Sequence, residues 1–426
     1  MLVVAGTAAR IAAQPPRLSE DGRERGVEML HDIKKDIERH YYDPTFHGVD
    51  LDARFKAAEA KVRTAQSDTQ IIGIIAQALI DLNDSHTFFA PPPLAVKVTY
   101  GWRMQMIGDK CHVVAVKPKS AAEARELGLG DEVVSVDGAA PTREGFWRIR
   151  YYLGYRPQPA VKLALRRPDG RRVELEVPSN VVRRDPISTI DDFIAEFEDR
   201  YRVWEAESQP LYHDLGEAVL IAKMPTFAVK DEKADEIVKK AREHKALVLD
   251  LRGNHGGFAD LLKRFAGYFF DHDVKLDEVR RRKDTKPEKA DSRGPRRSFT
   301  GPLVVLIDSE SASASEIFAR LIQLEKRGTV IGDRSAGAVM ESMFHPHRGF
   351  GYRPFFYGAS ITVGDVIMSD GKSLERTGVT PDETVLPSAM DLKNRRDPAL
   401  SRAAELLGGK LDAEKAGTLF PIRVEE

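Results

Sequence analysis

The chain has 426 residues, of which 42% are hydrophobic and 31% are charged, a composition typical of soluble globular proteins. Since domains usually contain about 100–200 residues, this length favours two to four domains. The 65 basic and 66 acidic side chains nearly cancel, so no overall positive field favours a nucleic acid or an anionic membrane as partner.

The amino-terminal segment, residues 1–23, contains the apolar, small-residue-rich stretch MLVVAGTAARIAAQPP, which is similar to the end of a secretory signal. We expect either a remnant of an export signal or a disordered terminus, and hence a periplasmic or secreted protein, with a cytoplasmic location as the alternative. No apolar run approaches the ~18 residues that a membrane-spanning helix needs. Cys111 is the only cysteine, which excludes an internal disulfide framework and a cysteine-based metal cluster.

Residues 24–93 show apolar side chains at helical spacing and predict a small helical domain. The pattern ends in LNDSHTFFAPPP, where three prolines stop regular structure.

Residues 94–180 change to alternating strands and turns, including a hairpin with Asp169 and Gly170 at its turn. The run HVVAVKPKSAAEARELGLGDEVVSVDG resembles a PDZ domain, a module that binds extended peptides by strand addition, usually at a free carboxyl terminus. The stretch YGWRMQM departs from the usual carboxylate-binding loop, so carboxylate binding stays open, as does a purely structural β-barrel.

A charged linker is expected over residues 181–212, followed by an α/β region over residues 213–390 and a helical tail over residues 391–426. The apolar runs AVLIAKM, ALVLDLRG and PLVVLIDS are typical of parallel strands buried on both faces. Three helices predicted between or after them complete α/β crossovers. TVIGD and ASITVGDVIM are expected to extend the same sheet, and residues 275–298, rich in both charge signs, to form a solvated loop.

Two loops at predicted strand ends carry residues suited to catalysis, since ligands bind at the carboxyl ends of strands in open α/β sheets. GNHGG, with Gly253, Gly256 and Gly257, can expose backbone N–H groups, although such a loop is also common without catalysis. SESASASE places four serines before a helix, where a nucleophile would lie beside free amides and where serines also serve as helix caps. Ser315 is the candidate cap.

Four segments together resemble the carboxyl-terminal processing, or tail-specific, serine protease family: LDLRGNHGG, VVLIDSESASASEIFARLI, VIGDRSAG and LERTGVTPDETV. The resemblance implies a ClpP/crotonase-like α/β core with an amino-terminal helical domain and an inserted PDZ-like module. It also implies that Ser313 is the nucleophile of a serine endopeptidase. Ala314 and one glycine of GNHGG would then supply the oxyanion-hole amides, with Gly256 favoured over Gly257 and the choice between them left open.

The expected base is missing, because Ala338 stands where typical members of this family have a catalytic lysine. Lys326 and Lys372 are near in sequence, but neither matches the motif. Another branch, similar to the catalytic core of the tricorn protease, uses a Ser-His pair and a glutamate. The matching residues here are Ser85, His86 and Glu375, so this resemblance implies a tetrad of these three with Ser313.

An unperturbed histidine, with a pKa near ~6.5, can take the serine proton at neutral pH. His255 could contact substrate or be exposed. His345 and His347 lack an acidic partner at ligand spacing, so no metal and no cofactor are expected. The expected partners are polypeptide substrates, with binding of their carboxyl termini left open, and an oligomer remains open as well. A non-catalytic protein that binds peptides or apolar ligands, resembling the repeats of the interphotoreceptor retinoid-binding protein, is the alternative.

Overall fold

The computed structural model describes residues 18–92, 96–155, 158–183, 208–349 and 355–424. The predicted export signal therefore lies almost entirely outside the described residues, as does most of the predicted linker. Among the described residues, none of the helices combines the length and the apolar character needed to cross a bilayer.

Three helices form the amino-terminal unit: α1 (Glu20–His40), α2 (Leu51–Val62) and α3 (Asp68–Ile80). A short 3₁₀ turn (Phe46–Gly48) lies between the first two. Ser19 caps α1 by accepting a hydrogen bond from the amide of Gly22 at 3.1 Å. The apolar faces of the three helices share one core with side chains of a later strand, among them Tyr357, Ala359 and Ile361. This shared core fixes the helical unit to the rest of the molecule.

The stretch after α3 ends the helical unit and also forms a strand. Phe88–Ala90 forms strand β1, which pairs antiparallel with the strand that contains Ser360, so that Phe88 faces Ser360. Ser85 and His86 lie just before β1, and this pairing anchors them beside the main body of the protein.

A β-rich module follows. Its antiparallel sheet has the order β3-β4-β5-β6-β7 and carries helices α4 (Ala121–Ala124) and α5 (Phe146–Tyr155). The predicted hairpin is confirmed, with Gly170 at φ 88° in the turn. A separate pair, β2 with β8, joins the two ends of the module. The strands are β2 (Val96–Thr99), β3 (Trp102–Ile107), β4 (Lys110–Val116), β5 (Glu132–Val136), β6 (Ala160–Arg166), β7 (Arg172–Pro178) and β8 (Asn180–Arg183).

The α/β region is built on a six-stranded sheet of order β18-β15-β14-β11-β10-β9, parallel except for the β9–β10 pair. The three apolar runs are the buried parallel strands β10, β11 and β14, as predicted. The strands are β9 (Leu211–Leu215), β10 (Val219–Lys223), β11 (Ala246–Asp250), β14 (Leu303–Ile307), β15 (Thr329–Gly332) and β18 (Glu383–Thr384). The helices that accompany them are α6 (Asp231–Ala241), α7 (Ala259–Ala266) and α8 (Ala314–Leu324).

Two predictions about the same region are wrong. Residues 275–298 were expected to form a solvated loop. Most of them instead belong to an antiparallel hairpin of β12 (Val274–Arg281) and β13 (Thr285–Ala290). The charged side chains of β13 misled the prediction because that strand is an exposed sheet edge. ASITVGDVIM lies in β17 (Phe355–Met368), which pairs with β1, β12 and β16 (Met340–Gly349) in a second sheet and does not extend the first.

Three helices end the described chain: α9 (Ala389–Lys393), α10 (Pro398–Leu406) and α11 (Ala413–Leu419). Apolar side chains of α10 and α11 share a core with one face of the six-stranded sheet, including Ile221 and Val304. The predicted tail is therefore helical and also covers the sheet.

Candidate active site

Ser313 lies on a strained turn between β14 and α8. Its backbone has φ 55° and ψ −120°, a conformation that non-glycine residues rarely adopt and that usually marks a functional site. Two hydrogen bonds of its amide hold the turn, one to the carbonyl of Ala338 at 2.8 Å and one to Glu316 Oε2 at 3.1 Å. In α/β-hydrolases, a sharp strand-to-helix turn of this kind exposes the nucleophilic serine.

Glu316 is the residue at this site that the sequence analysis missed. It is fully buried, and besides the Ser313 amide its carboxylate accepts hydrogen bonds from Ser335 Oγ at 2.6 Å, the Gly337 amide at 2.8 Å and the Ala338 amide at 2.9 Å. Burial raises the pKa of Glu316 to about 7. The carboxylate thus ties the serine turn to the segment where Ala338 replaces the expected lysine. In sequence, Glu316 could be noticed only as a glutamate three residues after Ser313. The same spacing is typical of an ordinary helix cap, so it does not by itself indicate a role at the site.

The other serines of SESASASE have structural partners. Ser309 Oγ donates to the carbonyl of Met106 at 2.5 Å, and Ser311 Oγ donates to the carbonyl of Leu251 at 2.9 Å. The prediction that Ser315 caps the helix is wrong. It lies inside the first turn, fully buried, where its hydroxyl donates to the carbonyl of Asn254 at 2.8 Å.

The glycine loop packs directly against the serine turn. The side chain of Asn254 donates to the carbonyl of Met224 and accepts from the amide of Gly256 at 2.8 Å. Gly256 has φ +93°, and a Cβ atom at this position would lie 2.6 Å from Ser313 Cβ. Only glycine therefore allows the two loops to approach so closely.

The amides beside Ser313 differ in availability. Because the Gly256 amide already bonds to Asn254, it is not free to bind a substrate. In the described part of the chain, the amides of Gly257 and Ala314 have no hydrogen-bond partner. Ala314 is the first residue of α8, where an amide has no intrahelical acceptor.

A group of ion pairs lies directly before the glycine loop in the chain. Arg252 contacts Asp250 and Asp397, both at 2.8 Å, and Asp250 is completely buried at the end of β11. Although burial alone would raise the pKa of Asp250, the cations of Arg252 and Lys223 lower it to about 2. The LDLRG motif is therefore accounted for by a structural ion-pair group.

Ser85, His86 and Glu375 form one continuous hydrogen-bonded chain. Ser85 Oγ lies 2.7 Å from His86 Nδ1 and donates to Glu375 Oε2 at 2.8 Å, while the Ser85 amide donates to Glu375 Oε1 at 2.8 Å. The carboxylate also accepts from the Val339 amide at 3.0 Å. Burial raises the pKa of Glu375, and the hydrogen bond from Ser85 opposes this shift.

His86 is held by its neighbours in the helical unit and kept neutral by burial. Its amide donates to Asp84 Oδ1 at 2.9 Å, and Asp84 in turn accepts from Tyr41 Oη at 2.8 Å, at the end of α1. Burial lowers the pKa of His86, with Asp84 opposing the shift. A neutral imidazole with one ring nitrogen bonded to Ser85 has its other nitrogen left for a proton-transfer role.

The chain of contacts leads from His86 to the serine turn through two consecutive residues. Ser313 bonds to the carbonyl of Ala338, and Val339 bonds to Glu375, so Ser313 and the Ser85–His86–Glu375 group meet at this segment. Within the described residues no direct hydrogen bond joins Ser313 to His86. Hydrogen bonds of catalytic groups are often long in the free enzyme and shorten when substrate binds.

The remaining candidates lie at the surface. Lys326 and Lys372 are exposed, and neither forms a hydrogen bond with Ser313 in the described structure. His255 is exposed in the glycine loop.

The β-rich module contacts the residues just before the serine turn. Gln105 on β3 donates to Asp308 Oδ2 at 2.7 Å. Arg103 and Arg150 both pair with Glu310, which is only 5% exposed. The module is thus joined to the loop that carries Ser313.

Serine hydrolases combine a serine beside free amides with a histidine oriented by an acceptor group, and the residues around Ser313 and His86 are arranged in a similar way. Residues 218–385, which contain Ser313 and Glu375, match the model of peptidase family S41. The match covers most of the α/β region and includes neither the helical unit nor the β-rich module.

The curated relatives are processing proteases. The chain is 25% identical to the tail-specific protease of Haemophilus influenzae over 301 residues, which is 67% of this chain and 41% of that protein. It is 22% identical to the chloroplastic carboxyl-terminal-processing peptidase 1 of Arabidopsis thaliana, over 76% of this chain and 64% of that protein. The chain thus spans about two fifths to two thirds of the length of these relatives.

Solved structures share the overall fold. Mature CPAF in complex with lactacystin is 17% identical, has a TM-score of 0.67, and the match covers 91% of this chain and 97% of that one. The photosystem II D1 carboxyl-terminal processing protease is 20% identical, with a TM-score of 0.52 and coverage of 93% and 99%. The mixed α/β fold predicted from sequence is confirmed at this level.

Proposed function

We propose that the protein is a serine endopeptidase that cleaves extended or unfolded polypeptides through an acyl-enzyme on Ser313, with His86 as general base. The observation that carries the proposal is the hydrogen-bonded chain from His86 through Ser85 to Glu375, next to the strained turn of Ser313. The likeness to processing proteases supports hydrolysis of peptide bonds.

In the first step, His86 takes the proton of the Ser313 hydroxyl while its oxygen attacks the carbonyl carbon of the scissile peptide bond. The tetrahedral intermediate then collapses, the C–N bond breaks, and His86 gives the proton to the leaving amine. Water repeats the sequence on the acyl-enzyme and releases the second product. Ser85 and Glu375 act in series to fix the imidazole tautomer and to stabilise the imidazolium.

The oxyanion hole is proposed to consist of the amides of Ala314 and Gly257. The family resemblance favoured Gly256 over Gly257, but the hydrogen bond that the Gly256 amide donates to Asn254 supports the opposite choice. Gly256 then has a different role, since its missing Cβ allows the glycine loop to lie against Ser313.

The substrate is proposed to reach the site along the β-rich module. A cleft of about 1230 Å³ lies between the module and the α/β region, lined by Gln105 and Met106 on one side and by Arg252 and Asp308 on the other. None of the four tetrad residues lines it, so it would hold a part of the polypeptide away from the scissile bond. In its PDZ-like role the module would bind this segment by strand addition, with a free carboxyl terminus as one form of ligand.

We also propose that the protein belongs to the branch similar to the tricorn catalytic core, because Ala338 cannot act as a base. A periplasmic or secreted location is proposed with it. The alternative of a non-catalytic binding protein is not favoured, since the curated relatives are proteases.

The experiment is hydrolysis of an unfolded protein substrate, such as reduced casein, by the wild-type chain and the Ser313→Ala variant. We expect the wild type to release peptides and the variant to lose at least ~10³-fold in rate. Equal rates would remove Ser313 from the mechanism.

A further inference from the structure

A cluster of histidine and aspartate side chains lies away from the serine turn, where α1 packs on the second sheet. Asp36 and His40 lie one helical turn apart on α1, and His345 and His347 face the same way on β16. One ligand atom from each of Asp36, His40 and His345 lies within 4.8 Å of the others.

Two details of the cluster are those expected of a ligand-binding site. His345 Nε2 is buried and has no hydrogen-bond partner among the described residues, although an imidazole nitrogen normally finds one when buried. The rings of His40 and His345 also stack at a centroid distance of 4.4 Å, which keeps a nitrogen of each ring close to Asp36. A cation at Nε2, in the plane of the His345 ring, would satisfy this lone pair.

The fourth member of the cluster orients the carboxylate. His347 Nε2 lies 2.6 Å from Asp36 Oδ2, so Asp36 keeps its other oxygen for a ligand. Carboxylates that bind a metal ion are usually hydrogen-bonded to a second residue, and His347 would have this role for Asp36.

We propose that Asp36, His40 and His345 bind a divalent transition-metal ion, most naturally zinc, with His347 as a positioning residue. Two imidazoles and one carboxylate match the ligands that zinc prefers, with bonds of about 2.0–2.2 Å and a fourth position open to water. A tetrahedral arrangement with such bonds separates ligand atoms by about 3.3–3.5 Å, so small side-chain rotations would close the site.

The ion would link the helical unit to the second sheet, close to His86, the proposed general base. His40 is followed by Tyr41, whose hydroxyl donates to Asp84, and Asp84 accepts from the amide of His86. On the other side, β16 begins one residue after Val339, which donates to Glu375. The metal site would therefore stabilise the docking of the element that carries His86.

The test is titration of the untagged, chelator-treated full-length chain with zinc chloride, followed by calorimetry and by competition with a zinc-sensitive dye. We expect one zinc ion per chain and a higher melting temperature in its presence, because the ion binds only the folded state. His40→Gln and His345→Gln should each weaken binding at least tenfold, and His347→Gln should weaken it by about tenfold.

The matched control is His31→Gln, which removes another histidine of α1, one that lies 2.9 Å from Glu59 and outside the cluster. It should bind zinc like the wild type, and so should Ser313→Ala, since the metal site does not depend on the proposed catalysis. Absence of one-to-one zinc binding by the wild type, or unchanged binding in both His40→Gln and His345→Gln, would overturn the proposal. If either variant misfolds, Asp36→Asn and the wild-type titration decide the question.

Discussion

The hydroxyl of Ser85 donates a hydrogen bond of 2.8 Å to Glu375, a residue 290 positions later in the chain. The same oxygen lies 2.7 Å from His86 Nδ1, so one hydroxyl connects the helical unit to the α/β region. A hydroxyl can do this because it donates one hydrogen bond and accepts others. Because the Ser85 hydroxyl donates its hydrogen bond to Glu375, it must accept one from the protonated Nδ1 of His86. In the neutral imidazole, Nε2 is then unprotonated.

Replacing Ser85 by alanine should lower kcat by about 10–100-fold with a smaller change in KM, because the imidazole loses the group that fixes its tautomer. Steady-state kinetics on a fluorogenic peptide would measure both constants. Ser85→Thr, which keeps the hydroxyl, should recover most of the activity. A fully active Ser85→Ala enzyme would show that the link to Glu375 has no role in catalysis.

The pH dependence of the rate should identify the base. Burial lowers the pKa of His86 below its ordinary value of 6.5, so the imidazole is neutral at pH 7 and above. We expect kcat/KM to be constant near neutral pH and to fall as the pH drops through this lowered pKa, where the base becomes protonated. A rate profile between pH 4 and pH 9 tests this. A fall that begins above pH 7 would indicate a base other than His86, such as a lysine.

The close approach of the two loops can be tested with a matched pair of glycine variants. Gly256 and Gly253 both have positive φ, +93° and +71°, so alanine at either position strains the backbone by about 1–2 kcal/mol. Only at position 256 would the new Cβ meet Ser313 Cβ, at 2.6 Å, whereas at position 253 no atom lies within 4 Å. Gly256→Ala should therefore lose most of its activity while Gly253→Ala stays within about tenfold of the wild type.

Thermal unfolding of both glycine variants separates strain from contact. Similar melting temperatures with different activities would assign the loss to the displaced serine turn. Equal activities of the two variants would contradict the proposed packing.

Glu316 is expected to matter for both stability and activity. Its two carboxylate oxygens accept four hydrogen bonds, and a glutamine would present an amino group to two of the four donors. Glu316→Gln should therefore lower the free energy of unfolding by about 2–4 kcal/mol, as measured by urea denaturation, and displace the serine turn. Glu325→Gln, an exposed change at the end of the same helix, is the control and should leave both properties unchanged. A stable and active Glu316→Gln variant would show that this carboxylate does not organise the turn.

Much of the α/β region could be predicted from sequence because its signals are local. A short continuous apolar run such as LVVLI is typical of a strand that is buried on both faces, and β14 is fully buried. The hairpin β12–β13 was missed for the opposite reason. An edge strand facing solvent carries charged side chains, and in sequence it looks like a loop.

The parts of the site that depend on distant contacts were harder to predict. Glu316 and Ser315 look alike in sequence as polar residues at a helix start, and only packing shows that both are buried with different partners. The cluster of Asp36 with His347 joins residues 311 positions apart, so no local spacing could identify it. Ser85, His86 and Glu375 could be named only through a family resemblance, which carries this long-range information.

The most direct test of the central proposal is covalent labelling by a fluorophosphonate probe, with the modified residue mapped by mass spectrometry. The wild-type protein should be labelled at Ser313, and Ser309→Ala, which lacks a hydroxyl that bonds Met106, should be labelled equally fast. His86→Ala should react at least ~100-fold more slowly, since its serine has no base. An unlabelled wild type, a label on another serine, or unchanged labelling of His86→Ala would contradict a nucleophilic Ser313 activated by His86.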